Sequence, residues 1–206
     1  MFLLRISLPD VPGSLGAAAS ALGTVGADIS AVEIVEKYAG YAVDDFIVDL
    51  PPDAPPDSLV SACAQLDGVD VVWLSRYPES WGLQGDVDVL NAMTEDPANA
   101  ERILMSAAPE AFRANWALLA NRVTGETLDA TELAPDLTPG QVGQLGWLDA
   151  ATSRELPKGW LEGWGATLIA VAPFKTADSL VIGRHGGPDF LPSEVARLRH
   201  LAALAG

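Results

Sequence analysis

Apolar and polar positions in the first 76 residues follow two periods, and the switches between them mark six elements. Residues 2–8 (FLLRISL) form an apolar, β-compatible run. Residues 10–16 (DVPGSLG) hold Pro12, Gly13, Ser14 and Gly16 and read as a turn. Over 14–25, Leu15, Ala18, Ala19, Leu22 and Val25 recur on one face of a helix, and Gly26 supplies its C-cap. Residues 29–37 (ISAVEIVEK) and 41–50 (YAVDDFIVDL) read as strands around a turn at Ala39-Gly40. PPDAPP at 51–56 stops the second of these. A helix over 57–66 follows, with Leu59, Val60, Cys63 and Leu66 on its apolar face. Residues 69–76 (VDVVWLSR) make a last strand. The order β-α-β-β-α-β predicts a ferredoxin-like, four-stranded antiparallel sheet with both helices on one face.

Pro78 and the glycines at 82 and 85 then break the pattern, so the chain is expected to divide into a domain at 1–77, a linker at 78–85 and a second domain at 86–206. The pattern predicts helices over 86–95 and 98–112, strands over 115–121 and 126–130, and a strand pair at 165–172 and 178–184. A closing helix spans 192–204. Between them, 131–164 is rich in Pro and Gly and reads as irregular. The whole is of the α+β class.

Composition bounds the function more than the fold. The 206 residues are 49% apolar, enough for packed cores. Twelve basic against 28 acidic residues leave a net charge of −16, which argues against nucleic acid and anionic membranes as partners. Residues 1–80 carry −9 and 81–206 carry −7, so the acidity is a solvated surface and not a tail. A single Cys excludes an internal disulfide and a cysteine metal cage. The N-terminus lacks a basic region and a cleavage site, and no apolar run approaches the roughly 18–20 residues of a membrane span, so a cytoplasmic protein is expected.

Candidate catalytic groups are sparse. His185 and His200 have no second ligand at metal spacing, and Cys63 falls on an apolar helix face, as a buried inert thiol does. Gly183-Arg184-His185-Gly186-Gly187 lacks the logic of a phosphate loop. Asp44 and Asp45 are adjacent on a strand, so they face opposite sides and cannot act as a dyad. Trp147, Trp160 and Trp164 either wall a pocket or plug a core. No metal, no cofactor and no catalysis are expected.

The most specific element is LRISLPDVPGSLG at 4–16. Asp10, Pro12, Gly13, Leu15 and Gly16 resemble the D-x-P-G-x-L junction of the ACT domain, a small-molecule regulatory module, and Gly26-Ala27-Asp28-Ile29 resembles that family's turn into its second strand. The resemblance covers residues 1–77 and implies the same βαββαβ fold. It also implies an amino-acid site at Asp10, Pro12, Gly13, Ser14, Leu15, Asp28 and Ile29, completed in a homodimer by edge-to-edge pairing of the second strand. The local chemistry agrees: Gly13 lets a ligand approach the backbone, and the amides of Ser14 and Leu15 open a helix toward a carboxylate. Asp28 then offers an acceptor to an ammonium group, where many members have Asn.

Residues 177–206, with a strand, a glycine-rich loop, Phe190, Pro192-Ser193-Glu194 and a terminal helix, resemble the end of a GAF domain. That resemblance implies a central antiparallel sheet flanked by helices. Together the two halves suggest a non-catalytic, amino-acid-binding sensor acting as a dimer on a regulated partner. Two alternatives are a dimeric interaction module without ligand and a GAF-type sensor of a small effector.

Overall fold

Strand β1 (Phe2–Pro9) is buried on both faces over Leu3–Ile6 because it lies inside a four-stranded antiparallel sheet. It pairs with β3 (Tyr41–Asp49) on one side and β4 (Asp70–Arg76) on the other, while β2 (Asp28–Tyr38) pairs with β3 at an outer edge. Helices α1 (Ser14–Thr24) and α2 (Asp57–Cys63) fill the two crossovers. The order β2-β3-β1-β4 is the ferredoxin-like arrangement expected from the sequence. This computed structural model describes residues 1–77 and 83–205, and the protein is α+β throughout. The chain divides into two compact units, Met1–Glu79 and Ser80–Gly206. Of the expected linker at 78–85, residues 78–82 lie outside the described residues.

The faces of the first sheet follow from register. Leu4 lies opposite Phe46, Leu8 opposite Ala42 and Phe2 opposite Val48, so even positions of both strands share a face. That face packs on Ala18 and Leu22 of α1 and on Leu59 and Cys63 of α2. The other face carries Arg5 opposite Asp45. These join through a buried, two-pronged ion pair at 2.7 and 2.9 Å, the fork geometry that best repays the desolvation of both charges. α1 ends one residue before the expected cap: Val25 is its C-cap, and Gly26 follows at φ 77°. α2 is shorter than its pattern suggested and stops at Cys63, three residues before Leu66.

The second unit holds a five-stranded antiparallel sheet of order β6-β5-β9-β8-β7. The strands are β5 (Trp116–Asn121), β6 (Thr127–Ala130), β7 (Thr152–Glu155), β8 (Thr167–Pro173) and β9 (Asp178–His185). Helices α3 (Leu83–Glu95), α4 (Ala100–Ala111) and α6 (Pro192–Ala205) cover one face through Leu104, Ala108, Leu198 and Ala202 against Leu119, Ala170 and Ile182. The segment between β6 and β8 covers the other face through Val142, Leu145, Leu156 and Trp160 against Trp116, Ile169 and Val181. With both faces covered, β5, β8 and β9 are near-continuous apolar runs. Gly183 is fixed by close approach: a Cβ there would lie 2.0 Å from the Trp116 indole.

The stretch 131–164 is more ordered than its composition suggested. It contains β7 and the short helix α5 (Pro139–Gln144). Thr138 caps α5 in a capping box with Gln141, and Pro139 occupies its first turn. α3 starts at Leu83, three residues before the expected 86. Among the described residues, no helix is long and apolar enough to cross a membrane.

Candidate functional site

The junction from β1 to α1 is built by its backbone. Val11 donates to the Pro9 carbonyl, Ser14 to the Val11 carbonyl and Ala17 to the Gly13 carbonyl. Gly13 adopts φ 98°, a left-handed conformation that side-chain-bearing residues resist, and nothing lies within 4 Å of where its Cβ would be. Gly13 is the helix N-cap, and no side chain caps α1. One expectation is corrected here: the Ser14 amide is not free, because the turn consumes it. The amides left facing outward from the first turn are those of Leu15 and Gly16, since the next amide already closes on Gly13.

Asp10 takes no part in capping. Its amide donates to the Gly40 carbonyl at 3.0 Å, which ties the junction to the hairpin turn between β2 and β3. Its carboxylate accepts from Lys37 Nζ at 2.8 Å, with both side chains exposed. Lys37 reaches this face because of a bulge between Ile34 and Glu36. Ile34 pairs with Asp44 and Lys37 with Ala42, so the extra residue returns Lys37 to the face of Asp44, Ala42 and α1.

Asp44 is the residue that sequence reasoning passed over as a site. It is 2% exposed, lies opposite Ile6 on the helix-covered face, and its Oδ1 is buried without a hydrogen-bond partner. Burial raises its carboxyl above the ordinary aspartate value. Lys37 pulls it back down, while Asp10 and Asp45 push it further up. The available signal was its parity, since Asp44 shares a face with Ala42, Phe46 and Val48.

Pro12, Gly13, Ser14 and Leu15 thus cluster with Asp10 at one end of the first unit. Asp28 and Ile29 do not join them within one chain. They open β2 at the end paired with Asp49 and Val48, whereas Lys37 and Tyr38 close it. Eleven residues of strand place Asp28 about 33 Å from the junction end, so the two halves of the expected site lie at opposite ends of the sheet.

The remaining candidates resolve as structure. Cys63 is fully buried, and burial pushes its thiol up, as for an inert core cysteine. Arg184 is 1% exposed, donates to the Phe112, Arg113 and Pro188 carbonyls and pairs with buried Glu194 at 2.8 Å. It stacks over Phe190 at 3.9 Å, so the Gly-Arg-His-Gly-Gly stretch is a structural anchor. His185 packs on Trp164 at 4.5 Å and its pKa is lowered by burial. Trp160 is buried core and Trp164 packs edge-on against both it and Trp116. Trp147 is 78% exposed and lines an open cleft of about 600 Å³ with Val123, Pro139 and Asp149. Among the described residues, no group of three potential metal ligands occurs.

No family model and no curated protein matches the chain. Among solved structures it is similar to the GAF domain of a candidate sensor histidine kinase from Pseudomonas syringae pv. tomato. The TM-score is 0.42 at 14% identity, over 60% of this chain and 81% of that one. A formyltetrahydrofolate deformylase from Pseudomonas putida KT2440 gives 0.31 at 11% identity, over 46% of this chain and 38% of that one. An unknown protein from Galdieria sulphuraria gives 0.31 at 13% identity, over 88% and 79%. Likenesses this distant settle neither fold nor function, and the fold stands on strand order and connection alone.

Proposed function

We propose that the protein is a non-catalytic regulatory protein that responds to an amino acid and works as a homodimer through its first unit. The observation that carries this reading is the β1–α1 junction. Gly13 leaves open space over the turn, and the Leu15 and Gly16 amides open α1 toward it. Such an end favours a carboxylate through its donors and the helix dipole, in a chain whose surface otherwise repels anions. The ACT resemblance at Asp10–Gly16 and Gly26–Ile29 supports the same reading.

The exposed edge strand supports the dimer. β2 has one free edge, and Val32 and Ile34 are 41% and 51% exposed on it. In an antiparallel pairing of two such edges, the Asp28 end of one copy lies beside the Tyr38 end of the other. Asp28 and Ile29 then reach the junction of a second copy, which they cannot do in their own. A partner controlled by the dimer and a cytoplasmic setting belong to the same proposal.

Thermal melts of the full chain with each of the twenty amino acids test it. A ligand at 100 times its Kd stabilises by about 2.7 kcal/mol, a rise of several degrees. No rise with any amino acid would overturn the sensor reading and leave a dimeric interaction module in its place.

A further inference from the structure

Val123 at 83% and Trp147 at 78% are the two most exposed large apolar side chains among the described residues, and both line one cleft of the second unit. Single exposed apolar residues are ordinary, but two that share a concavity mark a candidate site. Its volume of about 600 Å³ is that of a small-molecule site.

The shape of the cleft is fixed by its own walls. One wall is the turn from β5 to β6. There Asn121 Oδ1 accepts from the Val123 and Thr124 amides at 2.9 Å, and the Gly125 amide closes on the Asn121 carbonyl. Gly125 adopts φ 71°, and a Cβ there would stand 3.3 Å from the Pro139 carbonyl, so the turn rests on the start of α5. The other wall is the loop 146–149. Gly146, at φ 84°, lies against the Arg154 guanidinium, which a Cβ would strike. Arg154 of β7 donates to the Trp147 carbonyl at 3.3 Å, and buried Ser179 of β9 donates to the Leu148 carbonyl at 2.6 Å. The backbone carrying Trp147 is thus pinned to the sheet while its ring stays in solvent. A surface fixed before its ligand arrives loses little entropy on binding.

Charge decides the chemistry of that ligand. Two polar side chains of the lining are engaged by the fold: Asn121 Nδ2 donates to Asp178, and the Arg122 guanidinium donates to the Phe174, Thr176 and Asp178 carbonyls and to Ser179 Oγ. Asp149 differs. It is exposed on the cleft, and among the described residues no hydrogen bond or ion pair engages its carboxylate. Glu126, which accepts from the Thr124 hydroxyl on the β5–β6 turn, adds a second carboxylate beside it. Residues 81–206 carry −7 in all. An indole face attracts a cation through its ring quadrupole, and a free carboxylate accepts the hydrogen bonds of an ammonium group.

We propose that this cleft is a second binding site, independent of the β1–α1 junction, and that it takes a small organic cation. The ligand is an ammonium group on an apolar or aromatic body. Trp147 and Val123 cover the body, and Asp149 receives the ammonium. An anion of the same shape is repelled by Asp149 and Glu126.

The test follows the indole N–H and backbone amide signals of the full chain by two-dimensional NMR. The probes are phenethylamine, 2-phenylethanol and 3-phenylpropionate, a cation, a neutral molecule and an anion of similar shape. Trp147→Ala assigns the Trp147 indole signal by its loss. That side chain is mostly in solvent, so the variant folds. Phenethylamine is expected to shift the Trp147 indole and Val123 amide signals saturably, with Kd of about 1 mM or tighter. Asp149→Asn should raise that Kd about fivefold or more, and the Val123 shift should vanish in Trp147→Ala. The alcohol should bind wild type and Asp149→Asn with equal weakness, and the propionate should not bind. No saturable shift with phenethylamine up to about 10 mM would overturn the site. So would a response of Trp116, Trp160 or Trp164 without Trp147. Equal Kd in wild type and Asp149→Asn, or preference for the propionate, would overturn its assignment to a cation.

Discussion

Asp44 shows how a single residue departs from the pattern that organises its neighbours. Positions 42, 44, 46 and 48 face the helices, and three of the four are apolar core. An aspartate there raises its own pKa in the folded state, with burial as the largest cause. The sign follows: the folded protein binds the proton more tightly than the unfolded chain. Stability associated with Asp44 is therefore full below the ordinary value of 3.8 and falls as pH rises through the folded value. Replacing it by Asn is expected to stabilise the ligand-free protein by about 1–3 kcal/mol at neutral pH. Melting temperatures of both proteins from pH 3.5 to 8 check this. The gap should be near zero at the acid end and widen upward. A gap that is constant with pH would show that Asp44 is ionised equally in both states. The parity of Asp44 was visible in the sequence. Its partnerless state was not, because that depends on the bulge that sends Lys37 to Asp10.

At the scale of elements, the α1 junction separates two roles of one glycine. Gly13 has φ 98° and open space around its missing Cβ, so substitution meets backbone strain but no steric clash. Gly13→Val is expected to cost about 1–2 kcal/mol, a fall of several degrees in Tm, while oligomeric state is unchanged. The added side chain projects over the amides, so any amino-acid response should vanish. Calorimetric titration beside size-exclusion chromatography reads both, and a retained response would place the ligand elsewhere. The first unit was legible because its apolar, β-compatible runs and its helical period are separated by Pro or Gly at most joints. Residues 131–164 were less so, for physical reasons that differ by element. β7 (TSRE) is four polar residues whose strand state comes from pairing with β8, a contact no local pattern encodes. α5 did carry a signal in Thr138-Pro139 with Gln141, but six residues are too few for an apolar face to repeat. Trp147, Trp160 and Trp164 looked alike in sequence and went to three environments: exposed cleft, core and edge-on packing.

For the whole molecule, the charge of −16 matters most for the proposed pairing of two copies. The β2 edge carries Glu33 and Glu36 with Lys37, and the first 80 residues alone hold −9. Two such surfaces repel over a range set by the Debye length, about 30 Å at 0.01 M salt and 8 Å at 0.15 M. The attraction available to β2 is main-chain pairing and burial of Val32 and Ile34, neither of which salt weakens. Dimerisation through this edge is therefore expected to strengthen as salt rises from 10 to about 150 mM, opposite to an interface held by ion pairs. Sedimentation equilibrium across that range measures the slope directly. Ile34→Lys removes the more exposed of the two apolar side chains at this edge and so takes away its apolar stripe, which should weaken the dimer at every salt concentration. A dimer that weakens with salt, or that keeps its strength in Ile34→Lys, would assign the contact to a different surface. Asp28 would then lose its route to a neighbouring junction.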